Sequence, residues 1–139
     1  MSDCLFCKII AGEIPSSKVY EDDDVLAILD LSQTNRGHTL VMPKRHCDSV
    51  LDCPKDILNK VYAVAQRIAQ AEVSVLGAKG VNILTNAGEV AGQSIPHFHV
   101  HVIPRYIGGE GGFQITMKEQ DISGIDMPRL AASIGEGIK

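Results

Sequence analysis

His97, His99 and His101 alternate with Phe98, Val100 and Val102, and no other stretch of the 139 residues restricts the fold so tightly. A period of two is the mark of an extended strand, with the three imidazoles on one face and the apolar set on the other. Strand rise puts neighbours on a face ~6.5–7 Å apart. The pattern predicts a half-buried strand, ended by Pro104, whose polar face is a ledge of imidazoles. The chain has five histidines in all. Placing three on one ledge points to chemistry rather than solvation, because imidazole is the side chain that can be nucleophile, acid or metal ligand near neutrality.

The remaining elements are short. Cys4 to Gly12 is apolar, enough for one or two helical turns closed by Gly12 as C-cap. Val19-Tyr20 and Val25–Leu29 flank Glu21-Asp22-Asp23-Asp24, which reads as a hairpin whose like-charged turn lies in solvent. Gly37–Pro43 is a third strand. Pro54 suits a first helical turn, and Ile57, Val61, Val64, Ala65 and Ile68 recur at helical spacing, predicting a helix to about Val73. Gly77 and Gly80 break the chain before a fourth strand, Val81–Asn86, and a loop from Asn86 to Gly92. Residues 107–113 are glycine-rich and flexible by composition. Asp126 caps a last short helix through Ile134. Hairpin strands with one long helix predict a single α+β domain over residues 1–139, its sheet mainly antiparallel.

A formal charge of −4 and a pI near 5.7 argue against a nucleic-acid surface or an anionic membrane partner. No apolar run reaches transmembrane length and the N-terminus lacks a basic-then-apolar signal, so the cytoplasm is expected. There the four cysteines are reduced thiols or metal ligands. A small anion is still compatible with this charge. Gly92-Gln93-Ser94 directly precedes the histidines; glycine lets a backbone approach a ligand, and Ser94 supplies a hydroxyl and an amide. Alone, such a turn is an ordinary entry to a strand. Beside three imidazoles it reads as a phosphate cradle.

The segment Gly92–Arg105, with its His-apolar-His-apolar-His centre, resembles the signature of the histidine triad superfamily. Cys4–Pro15, Asp30, Gly37–Val41 and Pro43–His46 stand in that family's order and spacing, so the likeness covers most of residues 4 to 105. The chain is similar to the small, zinc-containing bacterial branch of nucleotide-binding hydrolases, and Pro104-Arg105 also resembles the diadenosine-polyphosphate hydrolases. The resemblance implies a HIT-like fold: a five-stranded sheet, one long helix, short terminal helices, and a sheet continued across a homodimer through the edge at Val81–Asn86.

It also implies a chemistry. His99 would attack the α-phosphorus of a nucleotide ester, anhydride or phosphoramidate, and water would then release a nucleoside monophosphate from the nucleotidyl-histidine. His97, His101, His38 and Ser94 would complete the catalytic set, with His38 as a fourth histidine orienting the triad. Asn86, Gly92, Gln93, Ser94 and His101 would hold phosphate oxygens, and Asp30 the ribose hydroxyls. Phe6, Ile9, Ile10, Ile14 and Leu31 would form a slot for a purine base. Cys4, Cys7, His46 and His97 match a structural zinc site of that branch. Transfer to phosphate or a sugar phosphate instead of water, or a non-catalytic nucleotide-binding scaffold, are the alternatives. The absence of tryptophan departs from the nucleotide-binding branch and leaves the leaving group open.

Overall fold

In the computed structural model of the chain, residues 3–108 and 118–139 are described. Strands β1 (Lys18–Glu21), β2 (Val25–Leu29), β3 (Thr39–Pro43), β4 (Gly80–Leu84) and β5 (Val100–Arg105) form one sheet in the order β1-β2-β3-β5-β4. Every neighbouring pair is antiparallel. Helix α1 (Leu5–Ile10) precedes β1, α2 (Lys55–Leu76) joins β3 to β4, and α3 (Met127–Glu136) closes the chain. The architecture is the expected α+β sheet with one long helix.

The β2 and β3 runs are apolar at nearly every position because both faces are covered. Val25, Ala27, Val41, Val100, Val102 and Phe98 pack under Ile57, Val61, Val64, Ala65 and Ile68 of α2. On the other face Leu26, Ile28, Leu40 and Met42 pack against Phe6 and Ile9 of α1. The histidine face is therefore not the solvent-facing ledge expected of a half-buried strand. α1 lies over it, and His97 and His99 are 0% and 8% exposed.

Several boundaries differ from expectation for local reasons. Regular pairing of the histidine segment begins only at Val100: upstream, the Phe98 N–H turns to Cys47 O at 2.7 Å and the His97 N–H to Ile95 O. Pro104 lies inside β5, opposite Val81. It is tolerated because β5's last pair with β3 is Val102 with Thr39, so beyond that point one side of β5 has no ladder to feed. α2 continues past Val73 to Leu76 and stops where Gly77 takes a left-handed φ of 75° and gives its N–H to Glu72 O. Ala11, not Gly12, caps α1, with Gly12 following at φ 82°. β4 is Gly80–Leu84, and a 3₁₀ turn, Glu89–Ala91, occupies the loop after it.

The acidic turn is more than solvated. Asp22 Oδ1 accepts the N–H groups of Asp24 and Val25, both at 2.8 Å. Lys18 and Lys44 flank Glu21, and Lys60 reaches Asp24. The glycine-rich stretch from residue 109 onward lies outside the described residues. Asp126 caps α3 by accepting the Arg129 N–H.

Candidate active site and metal cluster

The three triad rings share the α1 face of the sheet, and their hydrogen bonds decide which nitrogen of each carries a proton. His99 Nδ1 lies 2.8 Å from His97 O. A carbonyl only accepts, so Nδ1 is the protonated nitrogen and Nε2 keeps its lone pair. His38 Nδ1 accepts the backbone N–H of Thr34 at 3.2 Å. His38 Nε2 therefore carries the proton and donates to His101 Nδ1 at 2.9 Å. That leaves the neutral His101 ring with its own proton on Nε2. A bare nitrogen on His99 and an N–H on His101 thus stand side by side, their ring centroids 5.0 Å apart.

Burial keeps these rings neutral. Desolvation, reinforced by His99 and His38, pulls His101 down to about 4. Desolvation also lowers His99, with the bond to His97 O and the charge of Asp30 opposing it. His38 is lowered by desolvation against the pull of Asp30. At pH 7 His99 is therefore neutral, and its Nε2 lone pair is available without a separate base.

His99, His101 and Ser94 open onto a cavity of about 330 Å³ that Phe6, Ile9, Asp30 and Leu31 also line. Phe6 sets its ring edge-on to both His99 and His97, with centroid distances of 4.9 and 5.8 Å. Asp30 Oδ1 accepts the Ser32 N–H, and Oδ2 stands 3.5 Å from His38 Nε2. Leu31 is fully exposed at the mouth. Ile10 and Ile14 instead support the cluster beneath α1. Sequence reasoning missed Leu5, Leu40 and Ile95, which line the same cavity; their only signal was adjacency to residues already singled out.

The loop expected to cradle phosphate is partly occupied by itself. The Gly92 N–H bonds to Glu89 O at 2.9 Å and the Gln93 N–H to Gly88 O at 3.0 Å. The Gln93 side chain ties three segments: Oε1 accepts from Gly88 N, while Nε2 donates to Asp48 O and Ile95 O. Gly92 takes φ 96°, and a side chain there would meet the Asn86 amide at 3.5 Å. Ser94 is exposed within the cavity.

Cys4, Cys7, His46 and His97 place one ligand atom each within 4.8 Å of one another. His97 Nε2 donates to Pro43 O at 2.9 Å, and His46 Nε2 to Asp48 Oδ1 at 2.9 Å. Both Nδ1 atoms therefore present lone pairs, yet they lie 3.1 Å apart, and two acceptors do not bond each other. Cys4 Sγ and Cys7 Sγ approach His97 Nδ1 at 3.4 and 3.6 Å. A tetrahedral Zn²⁺ with ordinary bond lengths spaces its N and S ligands by about 3.3–3.8 Å, so the four residues fit such an ion. Burial and the neighbouring Cys4 raise the Cys7 thiol; binding would displace protons from the sulfurs. Asp30, His38 and His101 also converge, but there His38 and His101 already satisfy each other.

A sequence profile of the HIT domain family matches residues 11–108. The chain is 44% identical over 135 residues to "Protein hit" of Bacillus subtilis, covering 96% of this chain and 93% of that one. It is 42% identical over 104 residues to the adenylylsulfatase HINT3 of Arabidopsis thaliana, covering 75% of this chain and 53% of that one. The crystal structure of a HIT family protein from Bacillus anthracis superposes with a TM-score of 0.89 at 42% identity, over 99% of this chain and 98% of that one. A Zn-bound histidine triad family protein from Mycobacterium smegmatis superposes with a TM-score of 0.77 at 37% identity, over 99% of both chains. This family is one of nucleotide-binding hydrolases and transferases. With the profile spanning most of its length and full-length relatives at this identity, the chain belongs to the HIT family.

Proposed function

We propose that this protein is a nucleotidyl hydrolase acting at the α-phosphorus of a purine nucleotide conjugate. The observation that carries the reading is the proton arrangement of the triad: His99 Nδ1–H is anchored on His97 O, so Nε2 is free to bond to phosphorus, while His101 offers an N–H beside it. In the first step His99 Nε2 forms a bond to the α-phosphorus and the bond to the leaving group breaks. The departing atom takes its proton from the Ser94 hydroxyl, while the neutral His101 keeps its N–H and offers it as a hydrogen bond to a phosphoryl oxygen. In the second step water adds to phosphorus and returns its proton to Ser94, the P–Nε2 bond breaks, and the nucleoside monophosphate leaves with His99 regenerated. His101 and Ser94 stabilise the charge that grows on the phosphoryl oxygens. With the Gly92 and Gln93 amides already bonded within their loop, this work falls to the two side chains and Asn86. Asp30 holds the ribose, and Phe6, Ile9 and Leu31 flank the base.

A single domain, structural zinc on Cys4, Cys7, His46 and His97, and a homodimer complete the proposal. The zinc is supported by the lone-pair convergence described above. Among the described residues no helix is long and apolar enough to cross a membrane.

The test is adenosine 5′-phosphoramidate, with AMP as the expected product and an acid-labile adenylyl adduct trapped on rapid quenching. His99→Ala should remove both, with kcat falling about 10⁴-fold or more. Equal turnover by that variant overturns the mechanism. If added inorganic phosphate diverts AMP to ADP, the enzyme transfers to phosphate rather than to water. Nucleotide binding with neither adduct nor turnover would make the protein a scaffold.

A further inference from the structure

A second cavity lies away from the histidines, on the α2 face of the sheet. It is a groove of about 410 Å³ between α2 and the β1–β2 edge, walled by Val19, Leu29, Val64, Ile68, Val75 and Leu76. Val75 is 78% exposed and Val19 45%. Glu72 also lines it; that residue is 5% exposed, and its Oε1 has no hydrogen-bond partner among the described residues. Buried acceptors are almost always satisfied. An apolar groove over an unpaired carboxyl oxygen has the character of half an interface.

The same chain carries an unpartnered apolar helix. Met127, Leu130 and Ile134 fall on one stripe of α3 at spacings of three and four, 52%, 44% and 63% exposed. Ile122, Ile125 and Ile138, outside the helix, are 55%, 43% and 76% exposed. Every residue from 118 to 139 is exposed. A ten-residue helix is marginal in water without a surface to pack on. Its length, about 15 Å, matches the roughly 18 Å of α2 between Val64 and Leu76 that walls the groove.

We propose that α3 of a second copy of this chain occupies the groove between α2 and the β1–β2 edge, the exchange being reciprocal. One α3 and one groove per chain make the contact self-complementary, so two chains close it about a two-fold axis. The chain's own α3 is the competing occupant. The main chain leaves β5 at Tyr106, whose hydroxyl donates to Arg36 O next to Gly37 at the groove's end. α3 nevertheless buries none of its residues against the described part of its own chain. The contact is separate from the sheet edge at β4 and is independent of the catalytic reading.

The chain contains no tryptophan, so Ile134→Trp is a single reporter. In an otherwise unaltered chain its emission should be that of a buried indole, and the sedimenting mass twice 15.0 kDa. Adding Val75→Asp, at an exposed position, should restore exposed emission with unchanged far-UV dichroism. The deciding step mixes that doubly substituted chain, with intact tail and blocked groove, with a Leu130→Asp/Ile134→Asp chain, with intact groove and blocked tail. Buried emission should return in the mixture, which requires one chain's tail in another's groove. Exposed emission from the unmixed reporter, repeated with Leu130→Trp to exclude the bulk of one indole, overturns the proposal. So does buried emission from a monomer, or a mixture that stays exposed.

Discussion

At the scale of single residues, the triad's behaviour is set by two ring protons, and neither is placed by a side chain that the alternating pattern reveals. The His97 carbonyl fixes His99, and the Thr34 amide acting through His38 fixes His101. The pattern gave the shared face and the chemistry-bearing residue types. It could not give the tautomers, which depend on backbone groups brought in from other segments. Gln93 shows the same gap. Its neighbours suggested phosphate contact, whereas its side chain joins Gly88, Asp48 and Ile95, a role fixed by a residue 45 positions away. Gln93→Leu removes all three bonds and unmoors the Ser94 turn from the segment after His46. We expect about a tenfold rise in KM for the phosphoramidate, and a loss of about 1–3 kcal/mol in stability from the unpaired carbonyls. Steady-state kinetics and a denaturant titration measure both.

Among the elements, α1 matters more than its six residues suggest. Cys4 caps it by accepting the Cys7 N–H, and Cys4 and Cys7 also face His46 and His97. Phe6 and Ile9 on the same two turns wall the cavity in front of His99. On the proposed reading, a cation on the four ligands would clamp the base slot of α1 to the strand that carries His99. Chelation of the zinc-loaded protein, or Cys7→Ser, should lower Tm by several degrees and raise KM well before it lowers kcat, because His99 takes its orientation from a backbone oxygen. A kcat collapse at unchanged KM would contradict this. The element boundaries were legible where a residue's own side chain sets them, as at Asp126, the N-cap of α3. They were misplaced where partners set them: β5 starts at Val100 because Phe98 turns to Cys47, and Pro104 survives inside it because β3 has already ended. The covering of the histidine face by α1 was likewise hidden, since a period of two does not say what lies above either face.

For the molecule as a whole, two buried populations make stability depend on pH in opposite senses. Folding pulls His101 from 6.5 to about 4, so between those values the unfolded chain binds more protons and stability rises with pH. That contribution is complete above 6.5 and is lost as pH falls to about 4. Burial raises Glu72 from 4.5 to about 7, opposed by Thr39; here the folded state binds more protons, and stability falls across 4.5 to 7. Glu72→Gln should therefore stabilise the protein at pH 8, by on the order of 2–3 kcal/mol, and hardly at all at pH 4.5. Thermal melts of the two proteins across that range measure the difference. Finally, His97 serves two masters with separate parts: its ring looks toward the cysteines, while its main-chain oxygen steadies the nucleophile. Every amino acid possesses that oxygen. If His99 acts as proposed, descent can strip away both sulfurs and replace the imidazole at 97 without disarming it, and metal-free cousins with the same chemistry are the expected outcome of this division of labour.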